Sequence, residues 1–375
     1  MITSSKPRIL VTGATGKTGG AVVAELLRNG WPVRAVVRRR DERSTLLDTM
    51  GAETVVADYF DTDQLRQAME GTRRAYYLPI MDPFMIQGAN AFAVAAKDAK
   101  LEQVVQMSQW LSSPSHPSLL TRQLWLVDRL FADIPGLAHT ILNPGMFADN
   151  FLRLIDFATL LRVYPHLTKD SRSAPVSNED IARVAVAVLT DPARHAGHSY
   201  RPTGPNLLSA KEIAEAIGRA IGKRVLPIGI PLWMFAKTAR MQGVNPYEIS
   251  GFRFYLQDHL RGAFSAGGGV TDVVRELTGS PAEDFETTAR RYAAKPFAQP
   301  TLVNRLKAIW NFNRIPLHPG WNLDRFDRSR GFPTPSAPRL AIDDEGWKTS
   351  HLAAADRPRV VHHNSTTSER VAQRA

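Results

Sequence analysis

Three glycines spaced three residues apart, Gly13, Gly16 and Gly19, stand between an apolar run from Ile9 to Val11 and a helix-patterned run from Ala21 to Leu27. A strand that feeds a glycine turn and then a helix leaves few folds open. Gly13 permits the tight turn, Gly16 lets the backbone approach a pyrophosphate, and Gly19 lets the helix pack close to the sheet. The helix start adds free N–H groups and a partial positive charge. Gly13, Thr15, Gly16, Lys17, Thr18 and Gly19 are therefore expected to cradle the phosphates of a dinucleotide. Gly16-Lys17-Thr18 also matches the end of an ATPase phosphate loop. Such a loop needs a glycine where Val11 stands, so that reading fails.

Strand and helix patterns alternate from there to about residue 150, with strands over 32–37, 53–58, 75–80 and 103–108 and a sixth ending near Leu142. Such alternation predicts an α/β fold, a Rossmann-like doubly wound parallel sheet whose ligands lie beyond the carboxyl ends of its strands. Arg38 opens a basic triplet after the second strand, where an NAD site usually carries an acid for the ribose 2′-OH. An arginine there favours a 2′-phosphate, so NADP(H) is expected over NAD(H). Pro79 lies near the C-terminal end of the fourth strand, and the fifth ends in Ser108-Gln109-Trp110.

The spacing from Thr12 to Gly19, together with Asn143-Pro144-Gly145-Met146-Phe147, resembles the NmrA-like family of atypical short-chain dehydrogenase/reductases, over roughly 7–294. The resemblance implies a dinucleotide core over 7–150 and a smaller region over 151–294 that mostly builds a substrate lid. It implies that Arg38 contacts the 2′-phosphate, and that Asp58 accepts a bond from the adenine amine while Tyr59 packs on the ring. Pro79, Ser108 and Asn143 would lie near the nicotinamide, and Trp110, Met146 and Phe147 would line an apolar substrate cleft.

One departure matters. Ordinary short-chain dehydrogenases follow the fifth strand with a tyrosine acid and a lysine four residues on. Here no tyrosine lies between Tyr77 and Tyr164, and no lysine between Lys100 and Lys169. No catalytic residue is assigned, although Ser108 or His116 could supply a proton. A quinone-like acceptor takes hydride without a strong protein acid, because its oxygens delocalise the charge. The family holds both NADPH-dependent oxidoreductases and NADP(H) sensors that act through a protein partner. The expectation is an oxidoreductase of flat small molecules, with the sensor as the alternative.

Composition bounds the rest. The chain has 375 residues and no cysteine, which excludes disulfide and thiol chemistry and fits a reducing, cytoplasmic compartment. No signal peptide is visible, and no apolar run reaches the roughly 18 residues of a membrane span, so no membrane partner is expected. No metal site is expected. Of the net charge of +11, about half falls in 295–375, where thirteen Lys and Arg face seven Asp and Glu. A nucleic-acid ligand would rest on charge alone and is not expected, since the tail lacks the aromatic interleaving of a recognition module. This proline-rich tail is expected to wrap the domain in part and to be loose or disordered beyond Asp343.

Overall fold

The computed structural model describes residues 6–352 and the backbone of 359–360. Its strands are β1 (Arg8–Val11), β2 (Val33–Val37), β3 (Glu53–Val56), β4 (Thr72–Tyr77), β5 (Gln103–Met107), β6 (Ala138–Leu142), β7 (Val163–His166), β8 (His198–Tyr200), β9 (Leu226–Gly229) and β10 (Arg359–Val360). Seven of them form one parallel sheet in the order β8-β6-β5-β4-β1-β2-β3, and β10 joins the β8 edge antiparallel. The order reverses between β1 and β4, where Val11 stands in register with Ala35 on one side and Tyr76 on the other. A ligand crevice is expected at this reversal.

Successive side chains of a strand point to opposite faces, and both faces here are apolar. Ile9 and Val11 pack with the Lys17–Arg28 and Asn178–Thr190 helices through Val22, Leu26, Ile181 and Val188. Leu10 points the other way, into a core with Leu65, Phe92, Val127 and Phe131 from the Thr62–Met69, Met85–Asp98 and Leu119–Ala132 helices. The sheet is thus wound on both faces, as the alternation predicts.

The chain does not leave the sheet for good after residue 150. Asn178–Thr190, capped by Ser177 Oγ accepting from Asp180 N–H at 3.0 Å, returns to cover β1, and β8 then extends the sheet beyond β6. The rest of 151–294, the expected lid, is built around this return. It holds the two-stranded β7–β9 sheet and the Ala210–Ile221, Leu232–Met241, Pro246–Leu260 and Phe285–Ala293 helices.

Beyond residue 294 the chain wraps the domain, with helices at Leu302–Arg314, Leu323–Arg330 and Glu345–Leu352. The looseness expected past Asp343 does not hold for residues 344–352. Trp347 is buried on Trp110 with ring centroids 5.6 Å apart, and its indole N–H donates to the Trp110 carbonyl at 2.8 Å. Asp258 anchors the same segment. Its fully buried carboxylate accepts from His116 Nε2 at 2.8 Å and from the N–H groups of Ile342 at 2.9 Å and Ala341 at 3.3 Å. The remainder of the tail, 353–358 and 361–375, lies outside the described residues.

Candidate functional site

The glycine turn has the shape its spacing predicts. Gly13 takes φ +61°, and a Cβ there would meet Leu78 at 2.6 Å. At Gly19 a Cβ would stand 2.3 Å from the Gly13 carbonyl oxygen, so only glycine lets the helix start this close to β1. Gly16 is exposed, and a Cβ there meets only the Gly13 oxygen, at 3.1 Å. Its open face can take a phosphate, with N–H groups of the first helical turn free of intrahelical partners. Thr15 lies half-buried in the turn.

The side chains of Lys17 and Thr18 are turned to the protein. Lys17 Nζ pairs with Asp149 at 2.6 Å, and Thr18 Oγ1 donates to Asn178 Oδ1 at 2.7 Å. What these two residues offer a phosphate is their backbone. Thr12 holds the far wall: its buried hydroxyl accepts from Leu78 N–H at 2.7 Å, which fixes the Leu78-Pro79 segment beside the turn.

Arg38 and Asp58 stand just past the ends of β2 and β3, both exposed. Arg40 pairs with Asp48 at 2.7 Å and Arg39 lies 3.9 Å from Asp41, whereas Arg38 forms no carboxylate pair among the described residues. Asp58 Oδ1 accepts from Phe60 N–H at 3.0 Å, which fixes the carboxylate at the rim. Tyr59 is placed differently from the expectation. Its ring is buried in the core, and its hydroxyl accepts from Gly13 N–H at 2.8 Å. It props the glycine turn from below instead of presenting a face to an adenine.

A cleft of about 380 Å³ runs from the turn into the lid. Strand ends supply Pro79, Met107, Ser108, Met146 and Phe147. Leu120 and Leu124 line it from the helix where tyrosine and lysine stand in ordinary relatives. The lid adds Phe151, Phe235, Tyr255 and His259. Arg153 and Glu248 bring charge of both signs to an otherwise mostly apolar wall.

Trp110, expected in the cleft, and Asn143, expected near the nicotinamide, do not line it. Trp110 is buried in the lid core, where its indole N–H donates to the Ala263 carbonyl at 3.0 Å and Arg201 stacks 3.6 Å from its ring centroid. Asn143 is buried behind the lining, held by its N–H to the Tyr200 carbonyl at 2.9 Å. His116, considered as a proton source, is locked between Asp258 and Ser118 N–H and does not reach the cleft.

Ser108 does reach it, but with its proton committed. Its hydroxyl donates to Asp128 Oδ2 at 2.9 Å, and Ser112 and Gln106 donate to the same carboxylate at 2.8 and 2.6 Å. Burial pushes the Asp128 pKa up to about 6, against the pull of those three hydrogen bonds. Sequence reading missed Asp128. The available signal was a lone acid in line with Leu120, Leu124, Val127 and Phe131 on the inner face of the Leu119–Ala132 helix. His259 was missed too. It is buried, burial holds its pKa down near 4, and it faces the cleft as a neutral ring.

Known proteins share this framework. An NAD(P)H azoreductase of Xenophilus azovorans is 30% identical over 292 residues, spanning 76% of this chain and 98% of that one. A (4-alkanoyl-5-oxo-2,5-dihydrofuran-3-yl)methyl phosphate reductase of Streptomyces griseus is 32% identical, with the same shares. The NADPH complex of the quinone oxidoreductase QOR2 from Escherichia coli superposes with a TM-score of 0.63 at 22% identity, over 76% of this chain and 99% of that one. The sequence profile of the NmrA-like family matches residues 5–259. With that match over most of its length, and with the glycine turn and doubly wound sheet in place, the chain belongs to the NmrA-like family.

Proposed function

We propose that this protein is an NADPH-dependent oxidoreductase that passes hydride to flat, apolar acceptors of the quinone type. The carrying observation is the cleft itself, mostly apolar and joined to the glycine turn, with leucines where the usual acid pair stands. Gly16 would hold the pyrophosphate, Arg38 the 2′-phosphate and Asp58 the adenine. Bound there, the cofactor supplies the hydride.

The protein's own part is to bind and to exclude water. Pro79, Met146 and Phe147 bound the space in which donor and acceptor meet. Ser108 keeps an acceptor lone pair toward that space while Asp128 is ionised. A simple ketone reduced here develops an alkoxide that no tyrosine neutralises, whereas a quinone spreads the negative charge left by the hydride and takes the one further proton it needs from water. The azoreductase and quinone oxidoreductase activities named for relatives agree with an acceptor of this class.

The test is NADPH oxidation with a quinone panel beside a plain-ketone panel, in wild type and Arg38→Ala. Quinones should turn over well above ketones. Losing the guanidinium–phosphate contact should cost about 2 kcal/mol, roughly thirtyfold in NADPH affinity, with little change for NADH. Fast ketone turnover would overturn the acceptor class. Tight NADPH binding with no turnover of any acceptor would make the protein a sensor.

A further inference from the structure

The Leu302–Arg314 helix is turned inside out relative to an ordinary surface helix. Ala308 and the following Ile315 are its buried residues, packed with Phe157, Leu160, Met234 and Met241. The opposite side carries Leu302, Val303, Leu306 and Trp310, with Leu317 just beyond. These are large apolar side chains, yet Leu302 is 74%, Trp310 67% and Leu317 85% exposed. A surface helix normally turns its charged face outward. A contiguous apolar stripe in water marks something that covers it.

Charge says what covers it. From Lys295 to Leu323 the sequence contains Lys295, Arg305, Lys307 and Arg314 and no aspartate or glutamate. Arg305, Lys307 and Arg314 lie on the flanks of the stripe, and none forms a carboxylate pair among the described residues. A second copy docked face to face would bring these cations together with no acid to meet them. A surface of anionic headgroups over acyl chains meets both the cations and the apolar stripe. The helix has 13 residues, about 20 Å in length, which suits lying in the interface and is too short to span.

We propose that the Leu302–Arg314 helix is an interfacial anchor that seats the protein on anionic bilayers, with Leu306 and Trp310 in the headgroup–acyl boundary and Arg305, Lys307 and Arg314 at the phosphates. This binding mode needs no spanning helix, and no described helix is long and apolar enough to be one. The anchor adjoins the cleft. In the neighbouring Leu232–Met241 helix, Met234 and Met241 pack under the anchor, Phe235 lines the cleft, and Trp233 is 54% exposed with Lys237 beside its ring. Lys237 and Arg240 also hold the chain after the anchor, donating to the carbonyls of Pro316 at 2.7 Å and Gly320 at 3.0 Å.

The experiment is vesicle flotation of the full chain with phosphatidylcholine alone and with an equimolar phosphatidylcholine–phosphatidylglycerol mixture, at low and high salt. Wild type should float with the anionic vesicles and release as salt rises. Leu306→Gln with Trp310→Gln should lower partition by at least about tenfold. Arg305→Gln, Lys307→Gln and Arg314→Gln together should lower it on the order of a hundredfold. Melting curves and NADPH titration check that each variant is folded, and Val303→Gln with Leu317→Gln replaces the first pair if it is not. No flotation at low salt, or flotation that both variants retain, would overturn the proposal. So would a dimer by light scattering that Leu306→Gln with Trp310→Gln dissolves, because a second copy would then be the occupant.

Discussion

While Asp128 is ionised, the hydroxyl proton of Ser108 points away from the cleft and the oxygen can only accept. Asparagine at 128 places an amide N–H where a carboxylate oxygen faced Ser108 and Ser112, which frees the Ser108 proton to turn outward. Acid does the same to wild type. The pKa of Asp128 is raised from its ordinary 3.8 to about 6, so the folded chain binds this proton more tightly than the unfolded one. The stability it contributes is complete below pH 4 and is lost as pH rises through about 6. Wild type should therefore show a limb near pH 6 in kcat/KM for NADPH oxidation, and Asp128→Asn should lack it. Asp128→Asn should also flatten the fall in melting temperature between pH 4 and 6. Identical profiles for the two proteins would show that Ser108 orientation does not matter.

At the level of elements, legibility followed packing. The turn from Gly13 to Gly19 could be read in advance because each glycine answers a local requirement, and the contacts at Gly13 and Gly19 are those requirements. The Phe285–Ala293 helix carries a local signal, with Asp284 capping it and one buried stripe of Phe285, Ala289 and Tyr292. The Pro246–Leu260 helix was not legible, because it is gripped on several sides and shows no single apolar face. Ile249 and Leu256 line the cleft, Tyr247 donates to Gln123 at 2.6 Å, Ser250 donates to Asp327 at 2.7 Å, and Asp258 meets His116. Removing one partner of a buried polar node costs more than the node contributes, because the other partner stays buried and unpaired. Asp258→Ala should cost about 3 kcal/mol or more and open the chain after Ala294 to protease. Denaturant melts and limited proteolysis measure both. A variant as stable and as resistant as wild type would show that the node bears no such burden.

Over the whole molecule, the parallel sheet could be anticipated from alternation, and the order of the extension could not. Much of the extension is held by side chains reaching backbone carbonyls, as Arg122 does to Pro333, Lys237 to Pro316 and Arg240 to Gly320. Such bonds leave no periodic trace in sequence. The placements of Trp110 and Tyr59 were missed for a related reason, since an aromatic after a strand can point to the cleft or to the core and only the tertiary partner decides. A chain ending at Ala294 loses Trp347 from Trp110 and the two N–H donors from Asp258. It should be recovered mainly as aggregate, and a soluble fraction should melt well below the full chain in a thermal scan.

The carboxylate of Asp258 also bears on how such a chain can change over generations. A buried acid whose partners lie in a later segment works as a ratchet. Loss of residues 341–342 takes two of the acid's three donors and leaves it to His116 alone, and an apolar replacement at 258 strands His116 and removes the acceptor that orients the segment. Neither step is favourable before the other, so the extension cannot be shed or exchanged by a single deletion or recombination. Lineages that carry this pair are expected to keep the appendage even where its original use has lapsed.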